Sequence, residues 1–173
     1  MPRPLHIAAA IEHVTGTIGR GVAWLSLVVV LAQFAVVVLR YGFNVGSLWL
    51  QESVIYFHAA LFMLAAAWTL REGGHVRVDI FYAGATPRRK AVIDLFGAVL
   101  FLIPFAVTLL VLSLPYVARS WAILERSRET SGLPLVFLHK TLIPAFAVLM
   151  AVQGVAQALR AVMLLLPPRS SER

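Results

Sequence analysis

Four uncharged stretches of this sequence are each long enough to cross a lipid bilayer, and they limit the fold more than any other feature. Arg20 and Arg40 bracket nineteen residues, Glu52 and Arg71 eighteen, Asp94 and Arg119 twenty-four, and Lys140 and Arg160 nineteen. A hydrocarbon core of about 30 Å takes about 20 helical residues. The runs are apolar on every face, whereas a membrane barrel alternates polar and apolar positions. Composition agrees: the chain is 60% hydrophobic and 13% charged, against about 25% charged residues in a soluble domain. A soluble enzyme, a disordered chain and a secreted disulfide scaffold are excluded. The reading is an all-α integral membrane protein with four transmembrane helices. Residues 1–173 form one membrane domain, with spans near 21–39, 49–70, 93–117 and 141–163 and an outer loop over 118–140.

Four spans place both termini on one side. Ten of the fifteen basic residues fall on that side, including Arg88, Arg89 and Lys90, and five fall opposite. The positive-inside rule therefore puts the N and C termini in the cytoplasm. The net charge of +7 is accounted for by topology and by contacts with membrane lipids, without nucleic acid. The first span ends in Arg40-Tyr41-Gly42 and lacks a small-x-small cleavage site, so it is not a cleavable signal. In the N-terminal tail, Ile7, Ile11, Val14 and Ile18 recur at helical spacing, which predicts a short N-terminal interfacial helix. Leu135 to Leu138 is expected to re-enter the interface before the fourth span.

Few side chains within the spans carry chemistry. Glu52 stands at the outer end of span two, one turn before Tyr56. Deeply buried and paired, it would make a proton or cation site. At the interface it would bond a neighbouring helix or partner, with Arg40 across the outer hairpin as a possible counter-ion. His58 is the one histidine well inside a span, and a haem held by two histidines needs a second at matching depth. Gln153 and Gln157 share a face of span four beside Gly154 and Ala158, a pattern that lets helices approach closely. The chain has no cysteine, no GxxxxGK[ST] and no HExxH, so thiolate chemistry and a phosphate-binding loop are absent. The residues describe a compact helical bundle with no catalytic constellation and no cofactor site.

The order of several short motifs resembles a known family. Glu52-x-x-x-Tyr56 leads into an alanine-rich span end and Leu70-Arg71-Glu72-Gly73-Gly74-His75-Val76-Arg77-Val78-Asp79. Ser120-Trp121, Glu125, Gly132-Leu133-Pro134, Lys140, Ile143-Pro144 and Gln153-Gly154 follow. Together they are similar to the small membrane subunit of tripartite ATP-independent periplasmic (TRAP) transporters, the DctQ-like family, over about residues 20–165. The resemblance implies a non-enzymatic scaffold beside a large TRAP membrane subunit that carries the substrate and sodium sites. A periplasmic substrate-binding protein would deliver an organic acid anion. On this reading Arg40, Glu52 and Tyr56 make subunit contacts near the outer face, and Gln153 and Gly154 serve the helix interface. His75, Arg77 and Asp79 organise the cytoplasmic turn, and Arg126 and Arg128 face the docking binding protein.

Two other classes make different predictions. A stand-alone channel or exporter transports by itself in liposomes, and a haem-bearing anchor of a redox complex shows a Soret band. Orientation is open to a direct test, because a chain without cysteine gives no labelling background. Asn44→Cys and Ser131→Cys are expected to react with an impermeant maleimide outside spheroplasts. Ala85→Cys is expected to react only after the membrane is opened. The reverse pattern would overturn the orientation.

Overall fold

The structure is a computed structural model that describes residues 3–75, 82 and 84–166. These residues are helical, with no strand among them. Helices α1 (Arg3–Ala23) and α2 (Leu25–Gly42) are nearly continuous, broken only at Trp24. Next come α3 (Leu48–Arg71), then α4 (Pro87–Gly97), a π-helical turn (Ala98–Leu102), α5 (Ile103–Ala122) and α6 (Val136–Leu165). Among the described residues, four runs are long and apolar enough to cross a membrane: Arg3–Gly42, Leu48–Arg71, Pro87–Ala122 and Val136–Leu165.

Local chemistry sets the helix ends. Ser47 caps α3 by accepting from the Leu50 N–H, and Thr86 caps α4 by accepting from the Arg89 N–H, with Pro87 in the first turn. At the end of α3, the Gly73 N–H donates to the Leu70 carbonyl and the Gly74 N–H to the Thr69 carbonyl. Gly73 takes φ 69° to close this paired bond pattern. The end of α5 repeats the pattern with Leu124 at φ 45°, a left-handed position that glycine usually fills. Within the third span, the Ile103 N–H reaches the Ala98 carbonyl five residues back. The wider π turn sits just before Pro104, which has no N–H to contribute to an ordinary helical ladder. Leu135–Leu138, expected to re-enter the interface, forms the cap and first turn of α6: the Leu138 and His139 N–H groups both bond the Leu135 carbonyl. Helical winding begins at Val136, two residues after Pro134.

The spans stand in an open row. Helix α2 packs on α3, α3 on α6, and α6 along the whole third span, while α2 touches neither α6 nor the third span. The compact bundle expected from sequence is therefore a slab with two broad faces. Helix α1 lies across one end of the row, against α3 and α6. We call this the termini end, and the opposite end, with the 123–135 connection, the loop end.

Small residues make the contacts. Ala67, Ala98, Ala106, Ala147, Ala156 and Ala161 are buried, and the largest side chains that are fully buried are only Thr15 and Ser120. Large apolar side chains such as Phe34, Phe62, Leu112 and Leu114 point outward. Lipid tails are as apolar as leucine, so helices gain by close approach and not by hiding bulk. Helix α1 follows the same rule. It buries Ala8, Thr15, Gly16 and Gly19, while Ile7 and Val14 of the expected apolar stripe face outward. That outward stripe suits a helix at a lipid boundary, but α1 is twenty-one residues long, not a short segment.

A Cβ at Gly19 would stand 2.3 Å from the Trp68 Cβ, whereas one at Gly21 would meet nothing within 4 Å. Gly19→Ala is expected to destabilise by about 1–3 kcal/mol through overpacking. Gly21→Ala should be neutral or stabilise by up to about 1 kcal/mol through helix propensity. Thermal unfolding in mild detergent measures both.

Candidate functional site

At the loop end, Glu52 holds the 123–135 connection in place. Its Oε1 accepts from the Ser127 hydroxyl at 2.6 Å and its Oε2 from the Leu133 N–H at 2.5 Å. The loop reinforces that grip: the Ser127 N–H donates to the Leu133 carbonyl, the Glu129 N–H to the Ser127 hydroxyl and the Gly132 N–H to the Glu129 carbonyl. Only glycine fits at 132, because a Cβ there would lie 2.3 Å from Ser127 Oγ and 2.8 Å from Glu52 Oε1. Leu133 is buried beneath the loop.

A second clasp ties the loop to α5 and α6. Glu125 Oε2 accepts from Lys140 Nζ at 2.5 Å and from the Ser120 hydroxyl at 2.7 Å. The same ammonium lies 4.2 Å from the centre of the Tyr116 ring. Trp121 donates its indole N–H to Thr141 at 2.8 Å, and the rings of Tyr56 and His139 stack at 4.3 Å. The Lys140 and Ser120 hydrogen bonds hold the Glu125 carboxyl below the usual carboxylate range. A lowered pKa means that its contribution is complete above the ordinary carboxylate value. The contribution is lost only as pH falls through the lower folded one.

At the termini end, polar contacts fasten α1. The Glu12 carboxylate takes both Nε and Nη2 of Arg160, and Arg71 Nη1 donates to the Glu12 carbonyl at 3.0 Å. The Thr15 hydroxyl donates to Gln153 Oε1 at 2.8 Å, with both residues buried. Gly154, one position on, faces the third span instead: a Cβ there would stand 3.0 Å from Leu102 and Ile103. Adjacent residues on α6 thus serve different neighbours.

The residues singled out by sequence fall into these layers unevenly. Glu52 and Tyr56 join the loop-end network, and Gln153 and Gly154 lie at helix contacts within the chain. Glu52 turns to the loop and not to Arg40, which stands exposed at the end of α2. Arg126 and Arg128 are exposed on the clasped loop, and His75 is exposed beyond α3. Arg77 and Asp79 lie outside the described residues. Glu125 sits in a stretch that reads as a solvated charge run, yet it is half-buried and paired.

The comparisons with known proteins settle the family. The family model for the DctQ component of tripartite ATP-independent periplasmic transporters matches residues 25–164. The chain belongs to the DctQ family. No curated protein and no solved structure matches it. DctQ proteins are transporter components that work with a large membrane subunit and a binding protein. The four membrane-length runs agree with a multi-pass membrane protein. In this DctQ chain the match covers α2 to α6 almost entirely and omits α1. Sequence reasoning missed the α1 fasteners Glu12, Thr15 and Arg160. The pairs join positions 138 and 148 residues apart, and nothing local announces them.

Both partners of Glu52 are donors, so Glu52→Gln keeps one acceptor oxygen and sets an amide donor against the other. Glu52→Ala removes both acceptors and leaves the Leu133 N–H unsatisfied, at about 1–3 kcal/mol. Trypsin cleavage after Arg126 and Arg128 reports the outcome. The expected order of cleavage rate is Glu52→Ala fastest, Glu52→Gln intermediate and unaltered chain slowest. Equal rates would mean that Glu52 does not hold the loop.

Proposed function

We propose that this chain is the scaffold subunit of a TRAP transporter in a bacterial inner membrane. In this reading it supports the large permease subunit in sodium-driven uptake of an organic acid anion delivered by a periplasmic binding protein. The observation that carries the reading is an unfinished surface at mid-membrane. Gln33 on α2 and His58 on α3 are both exposed, with no hydrogen-bond partner among the described residues. Gln33 lies nine residues before the Gly42 end of α2, and His58 ten residues after the Leu48 start of α3. At 1.5 Å per residue both sit about 14–15 Å below the loop end.

Lipid offers such groups no hydrogen bonds, and polar side chains at this depth belong against protein. An open row of helices with two polar groups on its outer surfaces suits a subunit whose surface another membrane protein completes. The clasped loop, with Arg126 and Arg128 exposed, supplies a firm surface for the binding protein. Arg40, exposed at the end of α2, is available with Tyr56 for contact with the large subunit near the outer face. His75, exposed beyond α3, lies on the cytoplasmic side in this reading.

The test replaces the mid-membrane polar groups by leucine. Gln33→Leu with His58→Leu is expected to leave the isolated chain folded in detergent. The same pair should reduce both co-purification with the large subunit and uptake by proteoliposomes holding all three components. The chain alone is expected to show no uptake. Transport by the chain alone, or full assembly and uptake by the double variant, would overturn the proposal.

A further inference from the structure

A cleft of about 220 Å³ opens at the termini end between α1, α3, α4 and α6. It is separate from the loop-end clasp and from the mid-membrane surface. Its inner wall holds Gln153, only 2% exposed. The single hydrogen bond of that side chain is at Oε1, from Thr15, so its amide nitrogen is left to the cleft it lines.

Arg71 lies across the same opening. Its Nη1 bonds the Glu12 carbonyl and its Nε stands 3.6 Å from Glu72, which leaves Nη2 with donors to spare. The chain makes room for this arginine: a Cβ at Gly16 would stand 2.3 Å from Arg71 Nη1. On the α4 side, Asp94 lines the cleft and accepts from the Tyr82 hydroxyl at 3.1 Å through one oxygen. The remaining charges, Glu12 and Arg160, satisfy each other.

The lining therefore holds two arginines and two carboxylates, and its formal charge is zero. A net anion gains little from such a site. A group carrying both signs gains at both walls, with a phosphate against Arg71 and the Gln153 amide and an amine against Asp94. The volume suits a headgroup alone, and Leu70 and the exposed Leu164 continue the wall as an apolar edge on which acyl chains can lie. We propose that this cleft binds the headgroup of a zwitterionic, amine-bearing phospholipid, its phosphate on Arg71 and Gln153 and its ammonium on Asp94. The site belongs to this chain alone and does not rest on the scaffold role.

Native mass spectrometry of the full-length chain, titrated with defined lipids in mild detergent, tests it. Phosphatidylethanolamine is expected to bind about tenfold more tightly than phosphatidylcholine, which lacks ammonium N–H donors, or phosphatidylglycerol, which lacks the amine. Arg71→Gln should weaken phosphatidylethanolamine about tenfold, with partial recovery in Arg71→Lys. Asp94→Asn should remove the preference over phosphatidylcholine while keeping the shared affinity. Free phosphoethanolamine and inorganic phosphate distinguish a lipid from a soluble ligand. Displacement of the lipid by either at equal concentration would overturn the lipid assignment. Equal binding of the three lipids to the unaltered chain would overturn the site, whether or not the variants fold.

Discussion

Close approach between small residues is the interaction on which the rest of this structure depends. Within a bilayer, surrounding hydrocarbon removes the incentive to bury leucine or phenylalanine. The contacts instead run through the cluster of Ala67, Ala106 and Met150, Gly19 against Trp68, and Gly154 against Leu102 and Ile103. Helix α6 buries more residues than any other described helix, most of them small, and touches α1, α3 and the whole third span, so it stands at the centre of the packing. Helix α2, with no buried residue, can only be peripheral. The open shape follows from where the small residues stand.

Polar contacts then fix what packing leaves loose. Each end of the slab is fastened by carboxylates from one element holding another: Glu52 and Glu125 at the loop end, Glu12 at the termini end. These groups sit at span ends, where water and headgroups reduce the cost of charge, and so can be strong without being deeply buried. The mid-membrane level has no such fastening for Gln33 and His58. The contrast between finished ends and an unfinished middle is what the scaffold proposal rests on.

The spans were legible because a bilayer tolerates few charges, so Arg40, Glu52, Arg71 and Asp94 mark boundaries directly. The side on which α1 packs was not legible. An isoleucine stripe signals the buried face in water, whereas here Gly16 and Gly19 mark the packed side and Ile7 and Val14 face out. Glu52 was recognisable as important from its depth. Its partners Ser127 and Leu133 were not, since they lie 75 and 81 residues away and one bonds through its backbone. The π turn has a local trace in Pro104, but the row in place of a ring has none, because helical periodicity says which faces are small and not which helices meet.

The arrangement of the row is the claim most open to direct measurement. Neighbouring helix axes lie about 8–10 Å apart, so three steps from α2 to α5 give about 25 Å, while the diagonal of a closed four-helix ring is about 14 Å. Val30 and Leu112 are exposed on α2 and α5, and the chain contains no cysteine to compete for spin labels. Double electron–electron resonance on Val30→Cys with Leu112→Cys in nanodiscs is predicted to give a distribution centred beyond about 20 Å. A distribution centred near the ring diagonal of about 14 Å would contradict the open row.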